Sequence, residues 1–121
     1  MRVARASETT SSPMDASHFN GPASSLDLGT YDRPDGSVLL VTFPAGVHSN
    51  WHRHPGGQFL YVTEGRGRVG TRDGRIAEVG AGDLIHALPG EQHWHGAAKD
   101  VGVTHLAVNL GRTEWLEEVE S

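Results

Sequence analysis

Glycine and proline recur throughout this chain and divide it into short segments. Sixteen glycines lie between Gly21 and Gly111, and there are six prolines. The segments between them are rich in alternating or β-branched residues, which predicts many short strands rather than helices. The predicted strands are 26–30, 37–43, 47–51, 58–63, 67–72, 75–79, 83–88, 93–96 and 102–110. Strands at this spacing indicate a sandwich or a small barrel.

The length of 121 residues fits one domain with its own core. The start of the chain is rich in Ser and Thr and poor in apolar residues, so we predict a disordered N-terminal tail over 1–20 and a single domain over 21–121. A helical pattern is found only near the end of the chain. Residues 113–119, with Thr113 as N-cap, are predicted to form a short C-terminal helix.

Charge and cysteine content exclude several classes of function. The formal net charge of −5 disfavours nucleic-acid binding. No apolar run reaches the roughly 18 to 20 residues that a membrane-spanning helix needs. The absence of cysteine removes disulfides, thiolate zinc sites and thiol nucleophiles, and it agrees with a cytoplasmic location. We therefore expect a small molecule as the partner, and neither nucleic acid nor membrane.

Histidines occur in closely spaced pairs. His52 and His54 are two residues apart, and so are His93 and His95. Alternate residues of a barrel strand point inward, so each pair is predicted to share a face. On the last predicted strand His105 shares its face with Ala107 and Asn109. That mixture of small, polar and titratable side chains is typical of a binding site rather than a dry core.

Two segments around these histidines resemble the two motifs of the cupin family. They are Gly46-(x5)-His52-x-His54-(x3)-Gln58-(x6)-Gly65 and GDLIHALPGEQH, residues 82–93. The resemblance implies an all-β fold, a single cupin jelly-roll β-barrel that holds one metal ion. It also implies His52, His54 and His93 as metal ligands. The sequence departs from the family pattern in three places, with Gln58 at the usual carboxylate ligand, Leu88 at a proline and Ala97 at an asparagine.

A narrower resemblance concerns GGQFLYVTEGRG, PGEQHWHGA and VTHLAVN. These segments are similar to the small single-domain cupins related to manganese-dependent hydroxynitrile lyases and to carboxymuconolactone-decarboxylase-associated cupins. The resemblance implies Gln58 as the fourth metal ligand and His105 as the catalytic residue that transfers a proton. It also implies a homodimer.

The predicted substrate pocket combines that resemblance with strand alternation. Its residues are Leu39, Val41, Leu60, Val62, His95, Ala107 and Asn109. Three roles have alternatives. Gln58 is either a direct ligand or a hydrogen-bond partner of a ligand histidine. His95 is either pocket wall or a fifth ligand, and His105 is either an acid/base or a buried structural histidine.

The predicted ligand set favours Lewis-acid chemistry. Imidazole suits a divalent first-row transition metal such as Mn, Fe, Ni, Co or Zn. Three neutral imidazoles and one amide oxygen leave the ion its full formal charge, which stabilises an alkoxide better than a site with a carboxylate does. We therefore predict a lyase or isomerase acting on a small oxygenated substrate. The alternatives are a mononuclear non-haem iron dioxygenase and a non-catalytic cupin that binds a metal or ligand.

Overall fold

The structure is a computed structural model that describes residues 2, 4–32 and 35–120. Strands dominate it, which confirms the predicted all-β class. The strands are β1 Ser12–Pro13, β2 Ser24–Asp32, β3 Asp35–Phe43, β4 His52–Arg53, β5 Gln58–Thr71, β6 Ile76–Gly80, β7 Leu84–Ala87, β8 His93–Ala97, β9 Val103–Leu110 and β10 Glu114–Trp115. Two short 3-10 helices, Ala6–Glu8 and Ala16–His18, lie in the N-terminal segment.

All the strands belong to one curled antiparallel sheet, and β5 is its central element. The hydrogen-bonded order is β1-β2-β3-β9-β5-β8-β4-β10, and β6 and β7 also pair with β5. The first half of β5 pairs with β7 and β9, whereas its second half pairs with β6 and β8. One strand therefore connects the β9 side of the half-barrel to the β8 side, and the histidines of β8 and β9 can face each other across the interior.

The bend of β5 lies at Gly65. The sequence predicts two strands here, 58–63 and 67–72, but the structure has one strand whose register with β9 shifts between Val62 and Glu64. Gly65 has φ +77°, a conformation that favours glycine, and a Cβ at this position would overlap the carbonyl oxygen of Gly102. The irregularity is a bulge that turns the strand without ending it.

The predicted C-terminal helix is wrong. Glu114–Trp115 instead forms β10, which pairs antiparallel with β4 so that Trp115 lies opposite His52. The backbone N–H of Trp51 donates to the carbonyl of Glu117, and that of Leu116 donates to the carbonyl of Trp51. Hydrogen bonds to a neighbouring segment thus replace the bonds that a helix would make within itself, so tertiary pairing overrides local propensity.

The predicted strand 47–51 is also replaced by a less regular segment. His48 and Ser49 form only isolated bridges, with Gly96 and Phe19 respectively. The adjoining strand β4 is only two residues long and carries His52. The segment before His52 is consequently held by isolated backbone bridges to its neighbours rather than by the continuous hydrogen-bond ladder of a strand.

Residues 12–20 contact the barrel, although the prediction of a disordered tail over 1–20 and a domain over 21–121 stays a prediction. Ser12–Pro13 pairs with Ser24 and Ser25 of β2. The Asn20 side chain accepts from the backbone N–H of His48 at 2.7 Å and donates to the carbonyl of Gly46 at 3.2 Å. The segment is therefore attached to the loop that leads to His52.

The apolar core lies inside the curled sheet. Its fully buried members include Phe43, Leu60, Val62, Ala97 and Ala107. Within the described residues, no helix has the length and apolar character needed to cross a membrane. Buried among the core side chains are also eight polar residues, five of which are histidines, and these define the site.

Candidate metal centre

Four buried histidines form a cluster at the junction of β4 and β8. His52 lies opposite His93 in the register of these strands, and their ring centroids are 4.3 Å apart. His52, His93 and His95 each contribute one ring nitrogen to a group of three that lie within 4.8 Å of one another. The His54 ring is 5.2 Å from that of His52 and 5.7 Å from that of His93. Strand alternation therefore brings the two sequence pairs together.

Three of the four rings are oriented by contacts at Nδ1. His52 donates from Nδ1 to the carbonyl of Asn50 at 2.9 Å, and His93 donates from Nδ1 to the carbonyl of Glu91 at 3.0 Å. His54 Nδ1 lies 3.2 Å from the Thr113 hydroxyl. A proton fixed on Nδ1 leaves the Nε2 lone pair free to bind a metal, which is the usual arrangement of metal-binding histidines.

The histidines of the cluster are neutral near pH 7. Burial lowers the pKa of His54 to about 4, and the neighbouring His93 adds to that shift. Burial also lowers the pKa of His93 and lowers those of His52 and His95 further. Neutral imidazole is the form that binds a metal, so this environment keeps the side chains ready to act as ligands.

Gln58 completes one side of the cluster. Its amide oxygen lies 2.8 Å from Nε2 of His93, and both side chains are buried. His93 is neutral and carries its proton on Nδ1, so Nε2 and the amide oxygen present lone pairs to each other with no hydrogen between them. Two such atoms are mutually repulsive unless they share a cation or the amide turns over.

Asn109 holds the Gln58 amide in this orientation. The Gln58 NH₂ group donates to Oδ1 of Asn109 at 2.7 Å, and the Asn109 NH₂ group donates to the Ser37 hydroxyl at 3.0 Å. Gln58 and Asn109 also face each other in the register of β5 and β9. The chain of hydrogen bonds therefore points the amide oxygen of Gln58 toward the histidines.

Substitution of Asn109 is expected to change metal affinity through Gln58. In Asn109→Leu the amide loses its acceptor and is free to turn, so we expect affinity for Mn²⁺ to fall by about 10- to 100-fold, as for other outer partners of metal ligands. Asn109→Asp keeps an acceptor and should retain binding. Titration of the metal-free variants with Mn²⁺ measures this. Equal affinity in Asn109→Leu and the unmodified protein would contradict the role of Asn109.

The donor atoms fit a divalent transition-metal ion. Within the part of the chain that the structure describes, Nε2 of His54 and Nδ1 of His95 are buried without a hydrogen-bond partner, and the lone pairs of His93 and Gln58 face each other. Buried polar atoms without partners are rare in proteins. Proximity alone groups His52 and His93 with His95, but the Nδ1 contacts favour His54 over His95 as the third ligand, because His95 Nδ1 is not held.

His105 contacts the cluster through His95. The two rings are in edge-to-face contact with centroids 5.0 Å apart, and both nitrogens of His105 are buried without a hydrogen-bond partner among the described residues. Burial lowers the pKa of His105 to about 4, so this ring is also neutral near pH 7. His95 and His105 thus form a pair of neutral imidazoles beside the candidate metal ligands.

A cavity that is open to solvent leads to the cluster. Its lining residues are Met14, Phe19, Leu39, Val41, Phe43, His52, His54, Gln58, His95, Ala107, Asn109, Thr113 and Trp115. Of the predicted pocket, Leu39, Val41, His95, Ala107 and Asn109 are in this lining, whereas Leu60 and Val62 are buried in the core beneath it.

Four residues that the sequence did not indicate as part of the site also line the cavity. Met14 and Phe19 lie in the segment predicted to be a tail, and Thr113 and Trp115 lie in the segment predicted to be a helix. The available signal was an aromatic or large apolar residue within an otherwise polar terminal segment. Phe43 was assigned to a strand without a role in the pocket, and it too lines the cavity.

Comparison with known proteins assigns the family. The family model described as a cupin domain matches residues 39–110, which include every histidine of the cluster. The chain is a cupin. The match confirms the resemblance seen in the two motifs, and it agrees with the strand order and with the inward-facing histidines.

Two relatives cover most of this cupin. (R)-mandelonitrile lyase from Granulicella tundricola is 36% identical, over 98% of this chain and 95% of its own. A cupin-like protein of known structure from Thermotoga maritima is 33% identical, with a TM-score of 0.85 over 91% of this chain and 87% of its own. A shorter match, 38% identical over 51% of this chain and 36% of the relative, is to acireductone dioxygenase from Rhodopseudomonas palustris.

Proposed function

We propose that this cupin is a metal-dependent lyase that cleaves a small cyanohydrin to an aldehyde and hydrogen cyanide. The observation that carries the proposal is the donor set, in which neutral histidines and the amide oxygen of Gln58 converge and no carboxylate of the described residues lines the cavity. The similarity to (R)-mandelonitrile lyase over nearly the whole chain supports the same chemistry.

The proposed ligands are His52, His54, His93 and Gln58, and the proposed cofactor is one divalent first-row ion, Mn, Fe, Ni, Co or Zn. When bound, such an ion supplies Lewis acidity that favours an alkoxide over an alcohol. The protein contributes by keeping the three imidazoles neutral and by holding the Gln58 amide through Asn109.

His95 and His105 are proposed to move the proton. His105 is the acid/base assigned by resemblance, and His95 is the member of the pair that lines the cavity. The hydroxyl proton of the cyanohydrin passes to this pair, the C–O bond becomes a carbonyl, and the C–C bond to the nitrile breaks. Cyanide leaves with that electron pair and takes the proton back as hydrogen cyanide.

Cleavage of mandelonitrile tests this proposal. We expect the Mn²⁺-loaded protein to release benzaldehyde, measured by its ultraviolet absorbance, at the same rate with and without oxygen. The same protein stripped with EDTA is the control and should show only the background rate. If the loaded protein cleaves mandelonitrile no faster than the stripped protein, the proposed activity is wrong.

An iron dioxygenase is the second candidate, favoured by the partial match to acireductone dioxygenase. The anaerobic arm of the same experiment separates the two, because a dioxygenase consumes oxygen and a lyase does not. A third candidate, a cupin that binds a metal or ligand without catalysis, would bind Mn²⁺ through the same side chains and give no turnover.

The homodimer and the cytoplasmic location stay predictions. Exposed apolar side chains on the outer side of β5 and β7 support self-association, since Tyr61 lies opposite Leu84 in the register and both are substantially exposed. The cysteine-free composition supports the location.

A further inference from the structure

We propose that the N-terminal segment 12–20 is part of the substrate site, with Phe19 as a specificity-determining residue. The inference takes one thing from the proposed function, namely that the polar end of the substrate binds at the histidines. Everything else comes from three residues that line the cavity, Met14, Phe19 and Trp115, which we call the outer wall.

The outer wall is a packed aromatic contact rather than a loose cover. Phe19 meets Trp115 edge to face with centroids 5.7 Å apart, and it meets Phe43 at 5.6 Å. Trp115 in turn stacks on His18 at 4.1 Å and contacts His52 at 4.8 Å. A continuous set of ring contacts therefore runs from the N-terminal segment to the candidate metal ligand His52.

Hydrogen bonds fix this segment against the loop that carries the ligands. The backbone N–H of Asn50 donates to the carbonyl of His18 at 2.8 Å, and the Asn50 side chain donates to the carbonyl of Ser17 at 3.2 Å. The Asp15 carboxylate accepts from the backbone N–H of Ser17 and shapes the short helix. Phe19 is thus presented to the cavity by a defined backbone and not by chance contact.

The chemistry of the cavity defines what the outer wall contacts. Among the described residues that line the cavity, none is Asp, Glu, Lys or Arg, and the polar ones include the histidines, Gln58 and Asn109. The outer wall adds an aromatic and apolar surface beside them, in contact with His52 through Trp115. A ligand that fits this lining has one polar oxygen for the histidines and an uncharged apolar body, and the body is the part that Phe19 touches.

Benzyl alcohol is the probe that tests the proposal. It has one hydroxyl and one ring, and its binding to the metal-stripped full-length protein can be followed by NMR without any turnover. We expect saturable shifts of the Phe19 amide and of the Trp115 indole N–H. We expect Phe19→Ala to weaken binding by about tenfold, the effect of losing one aromatic contact.

Phe59→Ala is the matched control, because it also removes a phenylalanine side chain, but from the face of β5 that points away from the cavity. Phe59 alternates with the inward-facing Gln58 and Leu60 and stacks on His86 at 4.3 Å. Benzyl alcohol should bind this variant as it binds the unmodified protein. Phe19→Leu keeps an apolar side chain but removes the ring, so its affinity for benzyl alcohol should lie between those of Phe19→Ala and Phe59→Ala. It also provides a test if Phe19→Ala does not fold.

The proposal is overturned if benzyl alcohol does not bind the unmodified protein, if its shifts avoid Phe19 and Trp115, or if folded Phe19 variants bind it as tightly as Phe59→Ala does. Mandelonitrile cleavage does not enter these criteria. A protein that binds benzyl alcohol at the outer wall but cleaves no cyanohydrin would refute the proposed activity and leave the assignment of residues 12–20 in place.

Discussion

The substitution His52→Ala is expected to lower the affinity for Mn²⁺ by more than about 100-fold and to abolish metal-dependent activity. Loss of an outer partner of a metal ligand already costs about 10- to 100-fold, so loss of the ligand should cost more. Elemental analysis of the purified variant, together with Mn²⁺ titration of the stripped protein, measures the effect. His86→Ala is the matched control, because His86 is exposed and stacks on Phe59 outside the cavity.

Two further variants decide the composition of the ligand set. His54→Ala should lose metal as His52→Ala does, whereas His95→Ala should retain it, because His95 lacks the Nδ1 contact that orients a ligand. The opposite pattern would mean that the compact group of His52, His93 and His95 is the true site. Stoichiometric metal in folded His52→Ala would reject both sets.

Removal of the His105 imidazole should have the second largest effect, on rate rather than on metal content. General acid–base catalysis contributes about 10²- to 10⁴-fold, so we expect His105→Gln to lower kcat for mandelonitrile cleavage by that factor while Mn²⁺ still binds. Among the described residues neither nitrogen of His105 has a hydrogen-bond partner, so the substitution breaks no hydrogen bond, and a thermal melt of the variant shows whether the buried amide is accommodated. Steady-state kinetics and metal analysis on one preparation separate the two effects.

His95→Gln provides the comparison for His105. The two rings touch, and only His95 lines the cavity. If the pair shares the proton, both variants lose a similar factor in kcat. If His95→Gln is inactive while His105→Gln keeps the full rate, then His105 is a buried structural histidine and the role assigned to it by resemblance is wrong.

The strands and the inward-facing histidines could be predicted because both follow from local rules. Alternation alone places His52 with His54 and His93 with His95, and the spacing of glycines marks most strand ends. The bend of β5 was predicted as a break between two strands because Gly65 indicates a turn, whereas pairing on both sides carries the strand through it.

The outer end of the site could not be predicted because its residues are placed by partners distant in sequence. Trp115 has the local pattern of a helix, and only pairing with His52 makes it part of a strand. Phe19 lies in a polar segment, and its position depends on Asn50 and Phe43. The contact of His95 with His105 likewise joins two strands that share no register.

The pairing of Trp115 with His52 means that the N-terminal segment 12–20 and residues 113–117 meet over the same loop, because Asn50 bonds to His18 and Trp51 bonds to Glu117. Strands β5, β8 and β9 supply Gln58, His93 and His105, whereas these two segments supply Phe19 and Trp115 to the cavity lining. Substitutions near residues 14, 19 and 115 can therefore vary the aromatic part of the lining without changing the strands that carry Gln58, His93 and His105.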